Sequence, residues 1–268
     1  MRPVWTGAIS FGLLHVPVKL YTAVRDRALK FEYLHKKDLC PIGYVKVCKN
    51  TGKEVPWNEI VKGYQYEKGD YVILSDEDFK RAAVDMAGLI TIEEFVHEKE
   101  IDPFYYVKPY YVGPDKKSDK VYNLLLEVLR RSRKVGIGKF VLRTKEYAVA
   151  LKAKNDLLIL DTLRLKEEAL DAPSEIKAKN VELSEPELQM AIKLIDEMTV
   201  PFKTDVLKSD YVENLEEIID QKIHGETVKV AKTKTGKATP VPDLMNTLRA
   251  SLESARKQHK NEKAKARK

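Results

Sequence analysis

Apolar residues recur on largely alternate positions across residues 5–21, WTGAISFGLLHVPVKLY, at Ile9, Phe11, Leu13, Val16, Val18 and Leu20. Gly7 and Gly12 fall where a backbone must bend or be approached closely, and Pro17 interrupts the run. The pattern predicts a strongly curved strand pair with one apolar face. Phe31, Tyr33 and residues 42–47 suggest strands around a basic, Gly-containing hairpin. A second hairpin is predicted over 64–74, turning at Lys68-Gly69-Asp70. Ser75 with Asp78 resembles the start of a short helix to about Ala83. Residues 89–96 and 104–112 return to strand.

Ser118 caps an amphipathic helix with Val121, Leu124, Leu125, Val128 and Leu129 at helical spacing. Its end carries Arg130, Arg131, Arg133 and Lys134, which complement the negative end of the helix dipole. Residues 135–142, 147–152 and 157–163 read as a three-stranded meander with a tight turn at Asn155-Asp156. Short strands with local turns suit a closed barrel better than a parallel sheet.

After Leu165 the character changes. Residues 167–181 are polar, contain Pro173 and read as a linker. Ser184-Glu185-Pro186-Glu187 is a capping box opening a helix through Thr199, with the stripe Leu188, Ile192, Ile195 and Met198. A second helix begins at Ser209 or Asp210, carries Leu215, Ile218, Ile219 and Ile223, and ends at Gly225. These stripes must be buried somewhere, most simply as a helical cap on the chain's own barrel. Residues 226–239 are rich in Lys and Thr and predict disorder. Residues 240–258 then place Leu244, Leu248, Leu252 and Ala255 on one helical stripe. So little apolar area predicts a helix that forms on docking.

Composition alters this picture chiefly through charge. With 268 residues and 43% hydrophobic content, the chain suits one large domain or two modest ones. It has no apolar run long enough to cross a bilayer and no signal-peptide pattern, and two cysteines make no disulfide framework. A cytoplasmic location is expected. Of the net charge of +7, residues 226–268 carry +8, with nine Lys and three Arg against three Glu and one Asp; residues 1–225 stand at −1. A basic appendage on a neutral body points to a polyanion such as nucleic acid.

Candidate catalytic chemistry is sparse. Neither a G-x-x-x-x-G-K-[S/T] nor a G-x-G-x-x-G phosphate loop occurs, and His15, His35, His97, His224 and His259 lack metal-binding spacing. Asp78-Phe79-Lys80 and Glu175-Ile176-Lys177 match the carboxylate-x-Lys form of nucleases, as chance allows in a chain with 33% charged residues. No catalytic residue and no cofactor is expected.

Five blocks taken in order are more specific. They are residues 5–21, then EVPWNEIVKGYQYEKGDYVILS (54–75), EFVHEKEIDPFYYVKPYYVGP (94–114), VGIGKFVLR (135–143) and PELQMAIKLIDEMT (186–199). Together they resemble prokaryotic Ku, the DNA-end-binding protein of bacterial non-homologous end joining. The likeness covers about residues 2–225 and is weaker in the tail.

The resemblance implies an α+β fold, with a Ku-type β-barrel core over 1–166, a DNA bridge at about 21–62, a helical dimerisation arm over 167–225 and a flexible basic tail over 226–268. It implies a nucleoid-associated homodimer that encircles double-stranded DNA ends, without membrane contact. The bridge cations Arg25, Arg27, Lys30, Lys36, Lys37, Lys46, Lys49, Lys53 and Lys62 become candidate phosphate contacts. Leu188, Ile192, Ile195, Leu215, Ile218 and Ile219 become the dimer arm. Residues 243–256 become the docking helix for an ATP-dependent end-joining DNA ligase (LigD-type), anchored by Leu244, Leu248 and Leu252. Many relatives carry C-x-x-C at the bridge, whereas here Cys48 is followed by Lys49, Asn50 and Thr51, so no metal is expected. The competing expectations are a sequence-specific DNA-binding regulator and a metal-dependent nuclease.

Overall fold

The alternation near the N-terminus folds as β1 (Trp5–Phe11) and β2 (Leu14–Thr22), paired antiparallel with Trp5 opposite Leu20 and Ile9 opposite Val16. Ile9, Val16, Val18 and Leu20 are fully buried, but Leu13 stands in solvent at the turn. β2 runs through Pro17 without interruption. Pro17 accepts a bond from the Asp115 amide just beyond the ladder that β2 forms with the strand Tyr106–Pro114, so its missing N–H falls where no strand partner is waiting. Gly12 supplies the positive φ of the turn.

The chain is seen in a computed structural model that describes residues 1–82, 88–116, 118–142, 145–173, 176, 181–225 and 244–265. These fall into two units, Met1–Asp171 and Ala172–Lys268. In the first, β5 (Leu89–His97), β6 (Tyr106–Pro114), β7 (Lys134–Leu142), β8 (Lys145–Lys154) and β9 (Leu157–Leu163) join the first pair in a closed barrel of order β1-β2-β6-β9-β8-β7-β5. Every neighbouring pair is antiparallel except β1 with β5, which run parallel with Ala8 opposite Leu89. β6 starts later than expected because Asp102 caps a 3-10 turn at Pro103–Tyr105.

Alternate residues of each strand fill the barrel: Ile90 and Ile92, Tyr110 and Val112, Val149 and Leu151, Leu158 and Leu160, with Phe140 among them. α2 (Asp119–Ser132) packs on this cluster, but through a face rotated from the expected one. Tyr122, Leu125, Leu126 and Leu129 are buried, while Leu124 and Val128 line an open groove of about 330 Å³ with Phe11, Leu14 and Phe95. The Tyr122 hydroxyl explains the rotation. It donates to the Val112 carbonyl at 2.7 Å and accepts from the Leu158 amide at 3.1 Å, so both its polar and apolar parts are satisfied inside.

Between β2 and β5 lie β3 (Lys62–Glu67), β4 (Asp70–Leu74) and α1 (Asp76–Ala82). β3 and β4 pair only with each other, turning at Gly69 as expected. Ser75 and Asp78 exchange bonds at the start of α1, and that contact holds the Asp78 carboxyl below its ordinary pKa. The strands expected near Phe31, Tyr33 and 42–47 reduce to two isolated bridges, Leu34 with Pro41 and Val47 with Glu54. Among the described residues no neighbouring strand extends them.

The second unit holds α3 (Glu185–Met198), α4 (Asp210–Ile223) and α5 (Leu244–Lys265). The Ser184 amide and hydroxyl both bond Glu187, completing the capping box, and the Ser209 hydroxyl accepts from the Val212 amide. α5 extends beyond the expected stop near residue 258. The tail expected to be disordered, 226–239, lies outside the described residues, as do 177–180 of the expected linker. Among the described residues, no helix is long and apolar enough to cross a membrane.

The tightest glycines of the barrel are Gly138, where an added Cβ would lie 2.0 Å from the Thr91 carbonyl oxygen, and Gly7. At Gly7 an added Cβ would lie 2.3 Å from the Gly88 carbonyl oxygen and 2.4 Å from the Trp5 ring. Gly7→Ala is therefore expected to cost about 1–3 kcal/mol, read as a lower urea midpoint at unchanged slope. A midpoint equal to that of the parent chain would contradict this packing.

Candidate nucleic-acid interface

Residues 33–55 form two matching knuckles offset by 13 positions, a repeat that the residue types conceal. In the first, Leu39 N–H donates to the His35 carbonyl, His35 N–H to Cys40, and Ile42 N–H to Tyr33. In the second, Gly52 N–H donates to Cys48, Cys48 N–H to Lys53, and Val55 N–H to Lys46. Leu39 and Gly52 both take positive φ, 56° and 69°. The side chains one residue earlier repeat as well: Asp38 accepts from the Cys40 amide and Thr51 from the Lys53 amide. Such local backbone bonding gives shape to a segment with no core of its own.

Lys36 and Lys49 occupy equivalent places in the two turns, with Lys37 beside the first. Arg25, Arg27 and Lys30 lie in the extended stretch that leads in, and Lys53 closes the second knuckle. All nine predicted contact residues are exposed. Two of them are engaged: Lys46 sits 3.3 Å above the Trp57 ring, and Lys62 bonds Asp76 at 3.2 Å and lies over Phe79. The other seven make no ion pair among the described residues. Exposed unpaired cations retain their full attraction for a polyanion.

Beside them runs a surface that residue-by-residue reasoning missed. Phe31, Tyr33, Tyr44, Trp57, Tyr64, Tyr66, Tyr71 and Ile73 are each more than 60% exposed. The available signal was a two-stranded hairpin with aromatic or aliphatic residues on both faces, which cannot be stable unaided.

The predicted dimer residues divide. Leu188, Ile192 and Ile195 of α3 are exposed, whereas Leu215, Ile218 and Ile219 of α4 are half-buried. Of the predicted ligase anchors, Leu252 is buried and Leu248 half-buried, both on α5. Leu244 begins that helix, and its side chain lies outside the described residues.

The knuckles place His35 with Asp38 and Cys48 with Thr51 at the three-residue spacing that metal knuckles use. These donors instead satisfy one another. His35 Nδ1 lies 2.7 Å from Asp38, and the Thr51 hydroxyl bonds the Cys48 sulfur. Among the described residues no three His, Cys, Asp or Glu side chains gather to hold a metal ion. Thr51 is a poor ligand, so the donor set does not fit a tetrahedral zinc site.

A closed barrel interrupted between β2 and β5 by a long basic insertion fits the Ku-type β-barrel that the sequence resembles. Residues 10–190 match the family model described as the Ku70/Ku80 beta-barrel domain. The chain is 40% identical over 254 residues to the non-homologous end joining protein Ku of Opitutus terrae, covering 94% of this chain and 91% of that one. It is 38% identical over 265 residues to the protein of the same name from Heliobacterium modesticaldum, covering 98% and 96%. Against that of Bacillus subtilis it is 36% identical over 270 residues, covering 99% and 86%. The chain belongs to the Ku family.

The Thr51 hydroxyl, followed by the Thr51 and Asn50 amides, stabilises the Cys48 thiolate and holds this thiol below its ordinary pKa. In a Cys40→Ser chain, alkylation of Cys48 is expected to rise with pH earlier than for a free thiol. Thr51→Val should shift the profile to higher pH, because the thiolate loses its main donor. Superimposable profiles would show that Thr51 does not set the charge of Cys48.

Proposed function

We propose that two copies of this chain close into a ring that binds double-stranded DNA ends without reading sequence, and that the ring recruits an ATP-dependent DNA ligase for end joining. The observation that carries this reading is residues 23–82, where unpaired cations and uncovered aromatic residues share one insertion in a Ku barrel. The relatives are named as non-homologous end joining proteins, which supplies the process.

The two surfaces have different tasks. Large apolar side chains exposed together in one insertion mark an interaction site, and in a homodimer a self-complementary patch is covered by its own copy. Exposed Leu188, Ile192 and Ile195 offer a further apolar stripe for contact between copies. The free lysines and arginines then line the opening and meet phosphates, which position a duplex but carry no base information. Selectivity for ends comes from topology, since a closed collar is threaded only where the duplex stops. Such a protein needs no catalytic residue of its own.

Linear duplex is expected to bind, while covalently closed circles and duplex with both ends blocked by hairpins should not. Equal affinity for closed circles would point to a sequence-reading regulator instead. Replacing Lys36, Lys37 and Lys49 together by Ala should weaken binding equally across sequences. It should also flatten the salt dependence by up to about 5 in the log–log slope of a dimer.

Removing residues 226–268 is expected to leave dimer mass and end binding largely intact while abolishing ligase stimulation. Full stimulation by the shortened chain would reject the tail as the docking element.

A further inference from the structure

α3 is apolar on two sides. Leu188, Ile192 and Ile195 form one stripe and are exposed; Met190, Ala191 and Leu194 form another, bordered by Glu187 and Glu197, and are half-buried. At about 100° per residue the two stripes lie roughly 130° apart around the helix. α5 packs against α3, and the Arg256 guanidinium donates to Glu197 at 3.0 Å, which puts α5 on the second stripe. The residues of α5 that this contact covers are Met245, Leu248, Leu252 and Ala255, with Leu252 and Ala255 each only 8% exposed.

Leu248 and Leu252 are the residues read above as ligase anchors. We infer that α5 is stored on α3 of its own chain with its docking stripe covered, so that a ligase gains it only by displacing it. This rests on the reading of α5 as the docking helix. The store is weak enough to release: the helix buries few apolar residues, and its one ion pair among the described residues is half-exposed, an arrangement that contributes little. The opposite stripe of α3 stays free for a second copy of the chain, so dimerisation and storage do not compete. A helix that is only fractionally released has an apparent affinity lowered by that fraction.

Leu194→Asp in the full chain should release α5 by placing a charge under it, on the side of α3 away from the proposed dimer face. Amide hydrogen exchange over residues 244–256 is expected to speed up, and affinity for the purified ATP-dependent end-joining ligase to rise about tenfold for a helix stored nine-tenths of the time. Glu197→Arg should produce a smaller shift in the same direction, and Glu197→Arg with Arg256→Glu should restore the parent behaviour. Unchanged exchange in Leu194→Asp would overturn the storage contact. Faster exchange at unchanged ligase affinity would overturn its regulatory role, provided that Leu252→Asp abolishes ligase binding. If Leu252→Asp binds ligase normally, the docking reading itself fails, and the exchange data still judge the contact. Solution mass of each variant excludes a loss of dimer or of fold as the cause.

Discussion

The parallel pairing of β1 with β5 is the constraint on which the rest of this barrel depends. Antiparallel neighbours can be joined by tight turns, but a parallel pair needs a crossover. β2 ends beside the start of β1, and β5 begins at the same rim, with Leu20 opposite Trp5 and Leu89 opposite Ala8. The excursion between them is therefore rooted on one rim with a single strand between its ends, a gap of roughly 10 Å at ~4.8 Å per strand. A long insertion held at so close a pair of points leaves the barrel core undisturbed. Gly7 lies against the Gly88 carbonyl where this closure is made.

The insertion is built on a different principle from the barrel. The barrel buries a continuous apolar cluster, and its stability follows from area removed from water. The insertion buries almost nothing and keeps its shape through short-range backbone bonds in two equivalent knuckles. Backbone bonding of this kind fixes local geometry without requiring a core, and it leaves the side chains uncommitted. Lysines at the turns and aromatic residues along the hairpin are then free to meet a partner. The same trade appears in the second unit, where α3 keeps one apolar stripe uncovered.

Much of the barrel was legible from periodicity, because strands with one buried face alternate and meander turns carry Gly, Asn and Asp. What escaped depends on contacts distant in sequence. The burial of Tyr122 in place of Leu124 and Val128 turns on a hydroxyl bonded to Val112 and Leu158, which no helical wheel reveals. Residues 31–47 have strand composition but no partner strand, so alternation there marks an exposed surface. The parallel closure leaves no local trace in either strand. The knuckle repeat pairs His with Cys and Asp with Thr, so only backbone geometry exposes it. At the candidate interface, the exposed cations could be picked out from sequence, but the engagement of Lys46 by Trp57 and of Lys62 by Asp76 could not.

Net charge understates how polarised the first 225 residues are. Their total of −1 includes an insertion over 21–62 with nine cations against five acids, so the remainder is acidic. Many charges in that remainder are paired in place, which leaves its net acidic excess unchanged. Lys152 bonds both Glu98 and Asp161, Lys19 bonds Asp115, Lys145 bonds Glu168, and Arg130 and Arg131 flank Glu127. Asp115, Glu127 and Glu168 are each held below the ordinary carboxylate range, first by these cationic partners. Charge that is paired within a few ångströms contributes little field at a distance, and salt screens the residue. The insertion, in contrast, carries a net positive charge with seven of its cations unpaired among the described residues, so a chain that is near-neutral over its first 225 residues can still present a cationic surface to a polyanion. Composition counts charges; the field that a polyanion meets depends on which of them are already spent.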